Sequence, residues 1–274
     1  RRLFSKFTPN INYSFPKRVT FMKNNIAIQW FRQDLRLSDN PALTSASKHS
    51  NVLPIYILDD DLACDNPMGA ASRWWLHHSL ISLNTSLDSN LSVYRGNAVD
   101  ILTKIVKTHG VRAIYWNRCY EPWRIDCDSK LKSYLKNMGI KAESTNGSLL
   151  WEPWSIKKDD GNPYKVFTPF YRKGCLQAQA PHEPIPVPAN TQYFYDKENS
   201  INIDQLDLLP KKSWNTNLKS HWNIGENGAH ARFQKFIDEG LGLYKDGRNL
   251  PAKPYVSRIS PHLHFGEISP NQLW

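Results

Sequence analysis

Ser257, Arg258 and Ser260 bring two hydroxyls and a guanidinium into four consecutive positions near the end of a 274-residue sequence. Donors at this density suit a phosphate or diphosphate, which takes charge-assisted hydrogen bonds from such groups. Ser260-Pro261 and Ser269-Pro270 each set a capping residue before a proline, the local pattern of a helix start. Gln272, three residues after Ser269, completes the pattern of a capping box. Free N–H groups at a helix start favour an anion. The same residues equally satisfy a plainer arrangement of two capped helices and an arginine in a salt bridge.

Asp59, Asp60 and Asp61 are a second candidate group. No further oxygen ligands follow at a fixed spacing, so a solvated loop with local caps accounts for them better than a divalent metal. Cys64, Cys119, Cys127 and Cys175 form no CxxC pair and no zinc-like spacing, and read as reduced thiols.

The elements that must position these groups follow from the apolar pattern. Residues 26–31, 52–58, 91–94, 111–116 and 140–145 read as five strands. Between them a short helix follows Asp39-Asn40-Pro41, and Leu76, Leu80, Leu83 and Leu87 recur at helical spacing within 70–88. Asn97 caps a further helix that Gly110 ends, and Leu131, Leu135 and Met138 share one face of a helix over 123–138 that Gly139 stops. Repeated strand–helix alternation predicts an α/β fold, a doubly wound parallel five-stranded sheet over roughly 24–150. It lacks GxGxxG, the dinucleotide fingerprint of such sheets. Ligands in these folds sit beyond the carboxyl ends of the strands. Those ends are Trp30-Phe31-Arg32, Asp59-Asp60-Asp61 and Trp116-Asn117-Arg118.

Residues 151–220 are rich in proline and aromatics and read as a connector, on which Tyr164, Phe167, Phe170 and Tyr171 are expected to act as anchors. The stretch 201–217 reads as polar loop with a few leucines. From Trp222 helical patterning returns, with Ala229, Phe233, Phe236 and Ile237 on a helix ending at Gly240.

An apolar content of 40% with 22% charged residues is ordinary for a soluble globular protein. No run of 18 apolar residues exists, so no membrane span is expected. The ten tryptophans and twelve tyrosines are expected, one by one, to pack in cores. The formal charge of +10 favours a polyanionic partner. Arg1, Arg2, Lys6, Lys17 and Arg18 supply half of it in a leader, residues 1–21, that lacks methionine and precedes Met22. Translation starting at Met22 explains the leader most simply, and a basic targeting peptide is the rival.

The segment VSRISPHLHFGEISP (256–270) resembles the flavin-binding segment of the cryptochrome/photolyase family, and WFRQDLRLSDNPAL (30–43) resembles a second signature of that family. The resemblance points to a bacterial cyclobutane pyrimidine dimer photolyase cut within its FAD-binding domain. It implies a photolyase-type, Rossmann-like antenna domain over 24–150, a linker over 151–220 and the beginning of an all-helical FAD-binding domain over 221–274. In the FAD site it places Tyr244 as a cofactor contact, Ser257 and Ser260 at the diphosphate, and Arg258 in the same segment. Val256 stands where relatives commonly carry threonine, a missing donor that weakens the grip by about 0.5–1.5 kcal/mol. Glu267 is expected to orient this segment rather than to act on substrate.

Arg32, Asp34 and Arg36 are expected to form a salt-bridge network that fastens their loop to the neighbouring domain and partly walls the antenna cleft. Residues 116–123 match the region that touches the antenna pigment. There an Asn-Glu pair of folate-using relatives is replaced by Trp123 and Arg124, which removes the carboxylate expected on the pterin. Trp123 stacks on the pigment or simply packs. Methenyltetrahydrofolate is implied as the antenna in preference to 8-hydroxy-deazaflavin.

The implied function is light-driven repair of cyclobutane pyrimidine dimers, by electron transfer from reduced FAD, in a cytoplasmic monomer acting on UV-damaged DNA. A blue-light photoreceptor of the same family without repair activity is one alternative. A nucleotide-binding α/β domain without photochemistry is another. The resemblance places the catalytic and electron-relay residues after Trp274, and neither Trp222 nor Trp274 is assigned to the relay.

Overall fold

A computed structural model describes residues 25–60 and 67–274; the expected leader, 1–21, and residues Asp61 and Cys64 lie outside them. All six residues of β1 (Ile26–Phe31) are buried, as a strand covered on both faces requires. It is the centre of a parallel sheet of order β3-β2-β1-β4-β5, with β2 at Asn51–Leu58, β3 at Ser92–Arg95, β4 at Ala113–Asn117 and β5 at Lys141–Thr145. Between the strands run α1 (Pro41–Ala46), α2 (Ala70–Ser86), α3 (Ala98–His109) and α4 (Pro122–Asn137). The doubly wound fold is therefore as expected, and its switch point falls between β1 and β4.

Pro54 lies inside β2, a place from which proline is ordinarily excluded. Val52 directs both its N–H and C=O to the connector, through Gln192 O at 2.8 Å and Phe194 N at 3.1 Å. Pro54, two residues on, turns its nitrogen to the same side, where β3 has not begun: pairing with β3 starts at Ile55. No ladder bond is lost.

Alternation along the strands feeds two cores. Ile28, Trp30, Ile55 and Ile57 meet Leu102 and Ile105 of α3 and Leu131 and Leu135 of α4 on one face. Phe31, Tyr56 and Leu58 meet Leu76, Leu80, Leu83 and Leu87 of the α2 region on the other. Asn97 caps α3 by accepting from Val99 and Asp100, and Gly110 closes it in the left-handed conformation at φ 63.

Two expectations for the connector change. Phe167, Phe170 and Tyr171 are exposed, not buried as anchors. Within a helical turn Phe167 stacks on Tyr171 at 5.8 Å, and Tyr164, ahead of the turn, meets Phe170 edge to face at 6.3 Å. The stretch read as polar loop instead buries Ile203, Leu206 and Leu208 in the α2 core. A capping box of Asn202 and Gln205 starts the short helical turn that carries the first two. Beyond it lie α5 (Glu226–Lys235), α6 (Ser260–Phe265) and α7 (Pro270–Leu273), a helical region around a small core of Ala229, Ile259 and Ile268.

Candidate functional site

A cleft of about 830 Å³ opens at the carboxyl ends of β1 and β2, beside the switch point. Trp30, Tyr56 and Leu58 come from the strands, Leu76 from α2, Ala98 from the start of α3, and Trp123, Arg124 and Cys127 from α4. Another part of its wall is His264 and Phe265, contributed by α6. An apolar cleft with a few polar groups is the usual form of a small-molecule site.

Charged groups around the cleft are mostly committed to the protein. Asp128 takes Arg32 Nη1 at 2.9 Å and the Trp116 indole N–H at 2.8 Å. The Arg32 guanidinium lies 4.9 Å from the Trp30 ring centre. Asp59 accepts from the Ala98 N–H at 3.2 Å, and Asp60 pairs with Arg73 at 2.9 Å. These two acids thus serve local caps and pairs. Arg124 lies 4.4 Å over the Trp123 ring, so both residues proposed for the antenna stand on one wall of the cleft. Burial pushes the Tyr56 phenol far above its ordinary value; the Arg124 charge opposes this and Asp60 adds to it. The phenol therefore stays protonated at every physiological pH.

The loop 32–40 holds the sheet to the helical region. Buried Arg36 donates to Gly266 O at 3.0 Å, Asp39 O at 2.7 Å and Gly147 O at 2.6 Å. Leu37 and Ser38 donate their N–H groups to the Glu226 carboxylate at 2.8 and 2.9 Å. Asp39 accepts from the Ser269 hydroxyl and from Asn271. Asp34 takes the Asn117 and Asn40 amides at 2.7 and 3.2 Å. The loop is fastened, but not by the salt bridges expected of Arg32, Asp34 and Arg36: among the described residues no ion pair joins them, Arg32 pairs with Asp128, and Arg36 holds backbone carbonyls.

Glu267 is the second fastening. Wholly buried, it accepts from Trp75 Nε1 at 3.0 Å and Ser79 Oγ at 2.7 Å on α2, and its other oxygen lies 2.5 Å from His262 Nδ1 on α6. It orients α6 against the helix that lines the cleft.

At the opposite end of α6, Ser257, Arg258 and Ser260 follow one another, with Ser257 half-buried and the other two exposed. Arg258 is held at φ 50. Ser260 is not the cap expected of it: the helix begins at Ser260 itself, after Ile259, with no side-chain cap. Its hydroxyl, and that of Ser257, make no hydrogen bond among the described residues, which leaves them available to a ligand. At Ser269 the expected capping box with Gln272 is formed. Tyr244 is exposed, in a helical turn that Gly247 packs against Tyr255; a Cβ at Gly247 would lie 2.4 Å from that ring. The turn thus adjoins the strap leading to Ser257.

Arg232 lies on α5. Burial lowers its pKa and the positive charge of Arg258 lowers it further. Its guanidinium donates to His221 O at 3.1 Å and lies 4.4 Å over the Trp222 ring, near enough to Arg258 for the two charges to repel. The cleft also holds a carboxylate the reading did not anticipate, since Glu121 lines it.

A doubly wound sheet with an aromatic cleft beside its switch point, clasped to a helical segment, defines an α/β protein with a small-molecule-sized cleft. More than half of the chain, residues 27–189, matches the DNA photolyase family model, and the protein belongs to that family. A deoxyribodipyrimidine photo-lyase of Agrobacterium fabrum is 39% identical over 258 residues, covering 92% of this chain and 53% of the relative. Cryptochrome-2 of Arabidopsis thaliana is 32% identical over 251 residues, covering 88% of this chain and 41% of the relative. A solved class III photolyase of Agrobacterium tumefaciens superposes with a TM-score of 0.87 at 38% identity, covering 94% of this chain and 54% of that one. An archaeal photolyase of Sulfolobus tokodaii, solved with two FAD molecules, gives 0.73 at 26% identity, covering 90% of this chain and 54% of that one. The chain spans about half the length of the curated relatives it matches.

Proposed function

We propose that the intact protein is a deoxyribodipyrimidine photo-lyase that uses light and reduced FAD to repair cyclobutane pyrimidine dimers in DNA. The observation that carries this reading is the double role of α6. One end bears the donors suited to the FAD diphosphate; the other forms a wall of the antenna cleft. A chromophore and a flavin bound so are held by one short rigid element, which fixes their separation. On this reading 24–150 is the antenna domain, 151–220 the linker, and 221–274 the beginning of the FAD-binding domain.

Ser257 and Ser260 bind the diphosphate through their hydroxyls, Arg258 and Arg232 neutralise it, and Tyr244 contacts the cofactor. Trp123 stacks on the antenna and Arg124 fixes the indole plane from behind. Methenyltetrahydrofolate is the preferred antenna over 8-hydroxy-deazaflavin. The chemistry supplied by bound FAD is transfer of one electron to the dimer and its recovery after the ring splits. The net charge of +10 supports attraction to DNA phosphates in a cytoplasmic monomer, and a damaged base pair costs less to extrude than an intact one. No described helix is long and apolar enough to cross a membrane.

Similarity to a named cryptochrome at 32% identity favours a second reading, a blue-light receptor without repair. One experiment separates the two: illumination of the FAD-loaded intact protein with an oligonucleotide carrying one defined cyclobutane dimer. Repair under blue light and none in darkness supports the photolyase. Bound, reducible FAD without repair supports the receptor. Absence of bound flavin would refute both and leave a nucleotide-binding protein without photochemistry.

A further inference from the structure

Two adjacent histidines on α2 are covered by a part of the chain outside both candidate sites. The segment 201–224 lies along α2, with Ile203, Leu206 and Leu208 buried against it and Leu218, Trp222 and Ile224 packed alongside. Where the segment ends, Gly225 brings backbone so close that a Cβ would lie 2.0 Å from Ser82 Oγ of α2. His77 is buried beneath this cover: its side chain is 5% exposed, and its Nδ1 has no hydrogen-bond partner among the described residues. Its Nε2 stands 3.8 Å from Asp204 Oδ1, beyond hydrogen-bond length, and that carboxylate is 79% exposed. His78 is half-buried, edge-on to the Trp74 ring at 4.7 Å and to the His77 ring at 5.2 Å.

We propose that His77 and His78 form an acid-sensitive latch: the segment 201–224 stays docked on α2 while both rings are neutral and is released as they take up protons. A charge on His77 would be buried with one distant, solvated counterion, too little to offset its lost hydration. A second charge, on His78, would stand one ring away from the first and repel it. The charges that face the pair from the segment are Asp204, on the turn that carries Ile203, and Lys219, on the turn Leu218–His221. Burial lowers the pKa of His77, and Asp204 opposes this; burial, His77 and Lys219 all lower that of His78. With the segment released, both rings meet water and return to the ordinary value, about 6.5. Docking is therefore complete above that value and weakens as pH falls from it toward the lowered values of the docked state. Release also withdraws Trp222, which meets Trp75 edge-on at 5.0 Å and His262 at 6.0 Å, and so loosens α6. None of this depends on what fills the cleft.

Hydrogen exchange of the intact protein, followed from about pH 8 to about pH 5 and corrected for the intrinsic rate, tests the latch. The amides to watch are those of Ile201, Gln205 and Asp207, which are hydrogen-bonded in the docked segment. Below about pH 6.5 their protection should fall by up to about tenfold per pH unit for each histidine, while the amides of β1 keep theirs. His77→Gln/His78→Gln should abolish the fall. Two substitutions at exposed positions act in opposite directions. Lys219→Gln removes a repelling charge and should make the fall shallower; Asp204→Asn removes an attracting one and should deepen it. Urea midpoints near pH 8, where the histidines are neutral, show that each variant has folded. Wild-type protection that stays level across this range, or that rises in acid because protonated His77 pairs with Asp204, would overturn the proposal. So would a full acid fall in the double variant, or Lys219 and Asp204 variants that shift it in the reversed directions.

Discussion

Replacing Glu267 tests whether one buried carboxylate joins the two candidate sites. Glu267→Ala leaves the Trp75 indole N–H, the Ser79 hydroxyl and the His262 ring without their acceptor, all in a wholly buried place. Each such loss costs about 1–3 kcal/mol, and the three share one acceptor, so they do not add fully. A total of about 3–5 kcal/mol is expected, the range for removing one partner of a buried charged group. Glu267→Gln is milder for a stated reason. Its carbonyl still serves Trp75 and Ser79, while its amide donates where the carboxylate accepted. His262 can answer by moving its proton to Nε2, but that atom is buried without a partner among the described residues. The cost is then that of one unsatisfied group, about 1–3 kcal/mol. Urea unfolding of the intact protein, followed by tryptophan fluorescence, measures both. A Glu267→Ala variant within 1 kcal/mol of wild type would refute the reasoning; so would a Gln variant as damaged as the Ala variant.

Two further outcomes are expected. Gly266→Ala should lower stability markedly and loosen FAD: φ is +66, and a Cβ would lie 2.1 Å from Gln33 O and 2.5 Å from Asp34 Cα. These are backbone atoms that cannot yield cheaply, so normal stability and normal flavin content would contradict the close approach. Asp196 should make stability fall in acid. Burial would raise its pKa, but hydrogen bonds from Tyr94 and Asn199, the facing His109 and the Glu198 N–H hold it below the ordinary value. A depressed carboxylate contributes stability that is complete above the unfolded value, about 4, and is lost as pH falls through the folded value. Asp196→Asn should flatten that fall and cost about 1–3 kcal/mol at neutral pH. Urea midpoints against pH decide it, and an unchanged acid slope in the variant would count against the assignment.

The sheet was legible because its signals are local. Apolar runs of strand length separated by helical periodicity located all five strands, and Asn97, Gly110 and Gly139 marked helix ends by chemistry that does not depend on the rest of the chain. The connector was not legible for the opposite reason. Ile203, Leu206 and Leu208 are three apolar residues in a polar stretch, too few for a periodicity, and their burial depends on the surface that α2 presents to them. Phe167 and Tyr171 look like anchors by type, yet within the described residues they stack on each other. At the candidate sites, spacing brought out Ser257, Arg258 and Ser260, and the family resemblance brought out Trp123. Residues that only the fold brings there, Tyr56 from the inside of a strand and Arg232 from a helix preceding Arg258 by 26 positions, carried no signal of their own.

The position of α6 explains why the second signature, far away in sequence, lies in the first loop of the sheet. Six residues are too few to hold a helix by propensity, since nucleation alone makes isolated short helices unstable in water. Tertiary contacts must hold α6, and the loop after β1 supplies several. Leu35 donates to Phe265 O at 3.1 Å, Arg36 to Gly266 O at 3.0 Å, and Asp39 takes the hydroxyl of Ser269. The same loop begins with Arg32, whose pairing with Asp128 fixes the floor of the cleft beside Trp30. A substitution in residues 34–39 therefore acts on the cleft and on the proposed flavin segment together, although none of these residues lines the cleft. Occupancy of either site, by ordering α6, should lower the cost of filling the other, and that coupling must be reciprocal.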